Sequence, residues 1–451
     1  MMRVLEFIVA LIIVAVAAVV VGVVMPGNGH IERSLVIGKD MRQVYDVLSN
    51  YRRFPEYSEQ RDADRNIKFD FSGKAYGPGA EISWASDDGK VGNGKFTIAS
   101  ADPSFDKVDS TAKKATIVWN VDNDWRGNDK HFTIDLERNG SRGQLTKVTW
   151  SYDVDYGWNL INRYSNLYIH GDPDVFVQAT LNNLQNVLAG VQNVDYTKLI
   201  PYIEQTQPTP VLVVSTSIER KGGLEALDDA TNKAIGQIQA AAKKLGVSTT
   251  GPRIIYTTNY GDQTYTFDVA MPISATSLTV AGQSVELAAA KSPDLNAPAS
   301  ASTSGDAANA NAGGDNAPGG HDRFGRLIVD NDVRAFLAFG GPALKAVWNG
   351  TAAGVPQTRD LMKAYAQTHG YKFDEVVNRF YDIEAKPEVK QGDEVKQYAE
   401  YDVYLPLSWA PDQTPEQAAG IKPPTLDDGS EQAPASSGTA AAPASAASTG
   451  K

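Results

Sequence analysis

The sequence predicts an α+β chain of two folded units behind one apolar helix, and three observations carry that prediction. Residues Phe7 to Met25, FIVALIIVAVAAVVVGVVM, hold no charge and no strong helix breaker before Pro26. From Asn66 to Tyr156 come six short strand-like runs, followed by a long amphipathic stretch from Pro173 to Val191. Further on, the order strand, helix, strand, strand occurs twice. Each time it ends on a matching segment, TFDVAMPIS (Thr266 to Ser274) or EYDVYLPLS (Glu400 to Ser408).

At 1.5 Å per residue the first run makes a rod of roughly 28 Å, close to the hydrocarbon thickness of a bilayer. A cleaved secretory signal is the competing reading. The apolar run is longer than such signals usually carry, and its only A-x-A, Ala15 to Ala17, lies inside it. The expectation is a tail at 1–6 and a single-pass transmembrane helix at 7–25, lodged in the lipid bilayer of a bacterial inner membrane. Arg3 and the amino terminus compete with Arg33, Lys39 and Arg42 for the cytoplasmic side. Taking the shorter end as cytoplasmic puts the bulk in the periplasm, with the opposite facing left open.

A chain of 451 residues is too long for one core, so two domains plus tails are expected. A net charge of -12 without a basic stripe argues against nucleic acid as a partner. Cysteine is absent, which excludes disulfides, thiolate nucleophiles and Cys-ligated zinc, and suits an oxidising compartment.

The first unit is expected over 29–193. Ile31, Arg33, Leu35 and Ile37 mark a strand. Asp40 with Gln43 has the spacing of a capping box, and Val44, Val47, Leu48 and Tyr51 then recur at helical spacing. The runs NIKFDF, AEISWAS, KFTIAS, ATIVWNV, HFTIDLE and QLTKVTWSYDV form an antiparallel meander. In the closing helix, Val177, Leu181, Leu184, Val187, Leu188 and Val191 make one apolar stripe. A curved sheet gripping a helix leaves room for an apolar cavity between them. GKVGNGKF (Gly89 to Phe96) matches the glycines of a phosphate loop, but Phe96 replaces the required Ser or Thr and a strand follows, so a tight hairpin is the better reading.

The opening ERSLVIGKDMRQVYDVLSNYRRFPEY, the hairpin YGPGAEISWASDDGKVGNGKFTIASADP and the closing helix resemble the START-like polyketide cyclase and dehydrase (SRPBCC) superfamily, with its helix-grip fold. The resemblance implies a pocket for an apolar molecule and no universal catalytic residue. Trp84, Trp119 and Trp150 are the expected walls, although large aromatics in alternating runs are core more often than ligand contacts. Tyr156 and Trp158, with Tyr164 and Tyr168, fall where relatives have the pocket mouth. A resting place on the membrane interface is the alternative for that cluster.

A linker at 194–208, carrying Pro201 and Pro208, leads to the second unit at 209–409. PVLVVSTSIE reads as a strand, and a helix from Leu224 to Leu245 is stopped by Gly246. RIIYTTN and QTYTFDVAMPI are strands. In the second half RAFLAFGG is the expected first strand, PQTRDLMKAYAQTHG the helix, and NRFYDIE and EYDVYLPLS the closing strands. The matched segments point to an internal duplication with a groove between its halves. This unit resembles the gyrase-inhibitor-like, AraC-type effector-binding domain. Members of that family bind cationic or apolar drug-like molecules and commonly carry a glutamate just before an aromatic on the penultimate strand. Here that position holds Asn378 or Arg379, before Phe380, so the carboxylate is missing. Asp268 and Asp402, on the terminal strands, are the remaining acids that would hold a cation, unless they point to solvent or hold strand ends. Ala288 to His321 is almost all Ala, Ser, Asn, Gly, Asp and Pro and 410–451 is similar, so neither buries enough apolar area to offset its ordering entropy and both are expected to be disordered.

The five histidines are scattered without ligand spacing, and neither HExxH nor GxSxG occurs. No metal, cofactor or catalytic residue is expected. The sequence points to a membrane-anchored binding protein for hydrophobic or amphipathic small molecules. Two alternatives remain open: a cyclase- or hydrolase-type enzyme acting on such a molecule, or an envelope scaffold for a protein partner.

Overall fold

A computed structural model of the chain describes residues 2–104, 107–199, 201–292, 317–392 and 394–408. It is a mixed α+β structure with two large antiparallel sheets, the first of them curled, behind one apolar N-terminal helix. That helix, α1 (Met2–Val24), is long and apolar enough over Val4–Val24 to cross a membrane or to serve as a signal sequence.

Only residues 25–27 separate α1 from β1 (Asn28–Ile37). Three helices follow, α2 (Met41–Leu48), α3 (Phe54–Tyr57) and α4 (Glu59–Ala63), and then the meander. Its strands are β2 (Lys68–Gly73), β3 (Ala80–Ala85), β4 (Asn93–Asp102), β5 (Lys114–Asn123), β6 (Asn128–Asn139) and β7 (Leu145–Asp155). β1 closes on β7, giving the order β1-β7-β6-β5-β4-β3-β2. After α5 (Leu160–Tyr164), the long α6 (Asp172–Ala189) packs across β1 and β7. Asp40 caps α2 by accepting from the Arg42 N–H at 2.8 Å. Gln43 does not return the bond as a capping box requires, because the Asp40 N–H donates to Asn193 Oδ1 at 3.0 Å while the Gln43 amide N–H donates to the Gln192 carbonyl. The phosphate-loop-like glycines form the β3–β4 turn, with Gly92 at φ 59°. Beyond it Gly94 is obligatory for packing, since a Cβ there would lie 2.3 Å from the Trp84 ring.

Between sheet and helix, where a cavity is expected, aromatic rings pack on one another. Trp119 and Trp150 are fully buried with ring centroids 5.2 Å apart, and Trp84 lies 4.6 Å from Phe96. Phe132 stacks on Phe176 of α6 at 5.2 Å. The Trp119 indole N–H donates to the Leu48 carbonyl, which ties the sheet to α2. These three tryptophans belong to the buried aromatic cluster between sheet and helix, where the Trp84 and Trp150 indole N–H groups have no hydrogen-bond partner among the described residues. Their rings are large enough to bridge the gap that smaller side chains would leave open.

The second unit begins inside the expected linker. Tyr196 is buried, and β8 (Tyr202–Thr206) is an edge strand between Pro201 and Pro208. Prolines flanking an edge strand cost no ladder bond, so here they mark its ends and not a free tether. β9 (Thr209–Glu219), α7 (Gly223–Leu245), β10 (Ile254–Tyr260) and β11 (Thr264–Pro272) follow as expected. A small hairpin comes next, β12 (Ser277–Val280) with β13 (Gln283–Glu286), then β14 (Leu327–Ile328), β15 (Val333–Ala338) and β16 (Gly341–Asn349). α8 (Val355–Thr368) and β17 (Tyr381–Lys386) lead to a second small hairpin, β18 (Val389–Gln391) with β19 (Glu394–Gln397), and to β20 (Glu400–Pro406). The large sheet has the order β14-β15-β9-β11-β10-β17-β20-β16-β8. Outward from the central β10/β17 pair, β11, β9 and β15 on one side match β20, β16 and β8 on the other. α7 covers β9 and β11, and α8 covers β16 and β20.

Two expectations change here. RAFLAFGG, as β15, pairs with β9, and the strand that directly precedes α8 is β16. The expected disorder over 288–321 is too wide at both ends. The Ala288 carbonyl accepts from the Leu337 N–H, and His321 bridges to Leu327. Residues 293–316 and 410–451 lie outside the described residues.

The two units share one apolar core, which runs from α2 through Tyr196 to α8. At its centre the fully buried Asp46 carboxylate accepts from Arg42 Nε (2.9 Å), Tyr76 Oη (2.6 Å) and Tyr196 Oη (2.7 Å). Tyr196 in turn contacts Thr368 Oγ1 at 2.8 Å, and Asn50 donates to the Thr368 carbonyl. Burial and the Asp46 charge push the Tyr76 and Tyr196 hydroxyls well above their ordinary pKa, so both remain proton donors. Asp46→Ala strands the Arg42 charge, and we predict a loss of about 3–5 kcal/mol in a urea titration of the full chain in detergent. In the same assay Trp119→Ala is expected to cost about 3–5 kcal/mol, whereas Trp158→Ala, at a position 82% exposed, stays within about 0.5 kcal/mol.

Candidate functional site

Strand periodicity sends alternate residues of the large sheet to opposite faces. Tyr265, Phe267 and Val269 of β11 pack towards α7, and Tyr401, Val403 and Leu405 of β20 join the core that includes α8. The other face carries Val211, Val213, Ile254, Ala270, Tyr381 and Tyr404 in a separate cluster. A row of rings crosses it, from Phe336 to Tyr256 (6.3 Å), Tyr381 (5.4 Å) and Tyr404 (4.8 Å, nearly parallel).

A pocket of about 420 Å³ opens on this face. Its floor includes Tyr256, Thr266, Asp268 and Phe336, and its walls are the segment around Phe324 and the loop Val376, Val377, Asn378 and Arg379. Its charged lining is three arginines and one aspartate: Arg323, Arg326, Arg379 and Asp268. All three guanidinium groups approach the Phe324 ring, at 4.8, 5.3 and 5.7 Å from its centroid for Arg323, Arg326 and Arg379. Arg326 is buried and already paired, through Nε to Asp322 (2.6 Å) and through Nη1 to Asp268 (3.1 Å). Arg323 and Arg379 have no carboxylate within salt-bridge reach among the described residues. Burial holds the half-buried Arg379 below its ordinary pKa, with the Arg326 and Arg323 charges adding to the effect against Asp268. It stays charged, and an anion beside it would relieve the strain.

The expected cation site is not formed. Asp268 lies in the pocket but is neutralised by Arg326, and Asp402, on the same face, is held by Lys345 at 2.9 Å. Lys345 also reaches Glu204 and sits 5.2 Å over Tyr404. Burial works against its charge, yet hydrogen bonds to Asp402 and Tyr404 hold its ammonium well above the ordinary value. Both acids therefore have fixed cationic partners from their own chain, which leaves no carboxylate free to attract another.

The other expected contacts disperse. Phe380 is packed in the apolar core, while its neighbours Asn378 and Arg379 line the pocket. Tyr156 is buried, and the exposed Trp158 lies under Arg163, which bonds the carbonyls at the end of α1, and does not line the groove. The expectation missed Arg323, Phe324, Arg326, Tyr256 and Phe336. The basic and aromatic cluster His321-Asp322-Arg323-Phe324-Gly325-Arg326, directly after the low-complexity segment, was the available signal. A smaller pocket of about 220 Å³ on the helix side contains the buried Arg359–Asp382 pair, whose charges satisfy each other. Among the described residues no group of three His, Cys, Asp or Glu side chains is placed to hold a metal.

No family model matches the chain, and no curated protein matches it. Its structural neighbours include proteins of the START-like helix-grip fold. Truncated norcoclaurine synthase from Thalictrum flavum is 12% identical, covering 37% of this chain and 96% of its own, with a TM-score of 0.26. Ara h 8.0201 is 12% identical over 36% of this chain and 99% of its own, with a TM-score of 0.25. A hydrolase from Listeria innocua is 10% identical over 46% of this chain and 91% of its own, with a TM-score of 0.26.

Proposed function

We propose that the chain is a membrane-anchored, non-catalytic binding protein for an anionic amphipathic small molecule held in the groove of its second unit. The observation that carries this reading is the cluster of Arg323, Arg326 and Arg379 around Phe324, at one end of a pocket floored by aromatic rings. A planar guanidinium fork suits a carboxylate, sulfonate or phosphate, and the rings of Tyr256 and Phe336 suit an apolar body. A volume of about 420 Å³ is within the range of small-molecule sites. The pocket lining offers hydroxyls from Ser215, Thr216, Thr258 and Thr266 but no histidine among the described residues, and its aspartate is tied to Arg326. That set serves orientation better than general acid-base chemistry.

In this reading the second unit is a duplicated, effector-binding-like domain. The mirrored strand order supports it, as does the location of the two matching segments on β11 and β20. The exchange of the family's glutamate for Asn378 or Arg379 turns the groove from cations towards anions. The first unit, its interior occupied by its own rings, is the support that joins the groove to the anchor. α1 spans the bilayer as the single pass, with the folded bulk on the periplasmic side.

The test is calorimetric titration of the full chain in nanodiscs with naphthoate and with the matched naphthylmethylammonium cation. Naphthoate is expected to bind more tightly. Arg379→Glu is expected to weaken it about 10- to 100-fold, the loss of one charge-assisted contact of about 1.5–3 kcal/mol, and to favour the cation. Equal binding of the two probes, unchanged by Arg379→Glu, would contradict the proposal.

A further inference from the structure

The segment between β7 and α6 is bolted to the end of α1. Leu160 and Tyr164 pack on Gly22, where an added Cβ would come within 3.3 Å of both. The Tyr164 hydroxyl donates to the Ala18 carbonyl. Arg163 is buried and donates to the carbonyls of Val23 (3.0 Å) and Met25 (3.4 Å), with its Nε on the Gly157 carbonyl (2.7 Å). A cation at the last carbonyls of α1 also opposes the negative end of the helix dipole. The same guanidinium lies 4.6 Å over the Trp158 ring and so fixes that side chain as well.

On the outer side of this segment four large apolar side chains face solvent. Trp158 is 82% exposed, Ile161 67%, Leu167 63% and Tyr168 74%. Such a cluster on a short stretch marks a contact surface. What covers it follows from its position, because α5 meets α1 from Ala18 to Gly22. Ala18 lies about 9 Å below the helix end at 1.5 Å per residue, so α5 sits at the depth where a spanning helix leaves the hydrocarbon. Trp and Tyr favour that layer, with their rings in the acyl boundary and their polar atoms towards the headgroups. A protein partner on this surface would have to enter the bilayer alongside α1.

We infer that Trp158, Ile161, Leu167 and Tyr168 form a lipid-docking face that lies in the bilayer interface and holds the folded body flush against the membrane. The inference rests on the reading of α1 as a membrane span. With residues 25–27 the only connection, and Arg163 fastening it, the body does not swing on a tether.

The cysteine-free chain allows a direct test. Single substitutions Trp158→Cys, Ile161→Cys, Leu167→Cys and Tyr168→Cys are introduced into the full chain. A nitroxide is attached, and the chain is reconstituted in vesicles of phosphatidylethanolamine and phosphatidylglycerol. Collision rates with oxygen, which partitions into lipid, are compared with those of a water-soluble nickel chelate. Val14→Cys on α1 reports the bilayer core, and the exposed Tyr398→Cys reports water. The four labels are expected to show an oxygen-to-nickel ratio several-fold above that at position 398, approaching that at position 14. Ratios equal to that at position 398, with position 14 still protected, would overturn the docking face and leave the anchor standing. A water-like ratio at position 14 would overturn both.

Discussion

The Asp46 carboxylate is the constraint on which the arrangement of the molecule depends. It is fully buried, and three donors satisfy it: Arg42 on its own helix, Tyr76 before β3, and Tyr196 on the segment between the units. A buried charge without such partners would cost several kcal/mol, so the fold can keep Asp46 only while α2, the meander and Tyr196 stay together. Through Tyr196 and Asn50 the same network reaches Thr368 at the end of α8. Arg52 and Arg53 add bonds to the carbonyls of His369 and Gln367. The first unit and the large sheet are thereby one packed body.

This connection gives the first unit a role that its own interior does not supply. The rings of Trp119 and Trp150, and of Phe132 and Phe176, meet between sheet and helix at centroid distances of ring contact. What remains is mechanical: β1 leads from α1 into the sheet, α2 leads from the sheet to α8, and α8 covers the half of the large sheet that completes the groove. In the proposed anchored arrangement the position of the groove above the bilayer follows from this chain of contacts. The groove's charge follows from pairing, because each strand aspartate has a cation of its own and the surplus is arginine.

Much of the fold was legible in the sequence because it is local. The alternating runs from NIKFDF to QLTKVTWSYDV became strands, the stripe from Val177 to Leu188 became the buried face of α6, and Gly246 ended α7 in the left-handed conformation at φ 70°. β8 was hidden between its prolines. β16 was hidden by its Gly-Pro-Ala start and by Lys345, whose charge breaks the run yet is neutralised by Asp402. The candidate site was less legible for the same reason. Alternation places Trp119 on the inner face of a strand but does not say whether the facing helix leaves room. Arg326 lies 58 residues from Asp268 along the chain, and no local pattern joins them. Asn378 and Arg379 were the one useful flag, as a departure from the expected carboxylate.

If α1 and the groove belong to one rigid body, the distance between them is fixed. The most direct test is the distribution of distances between spin labels at Val14→Cys in α1 and Tyr398→Cys in the second unit, measured by pulsed electron resonance in nanodiscs. A single narrow peak is predicted, broadening when Asp46→Ala is added. A broad distribution in the otherwise unaltered chain would mean that the two move independently, and would contradict the account.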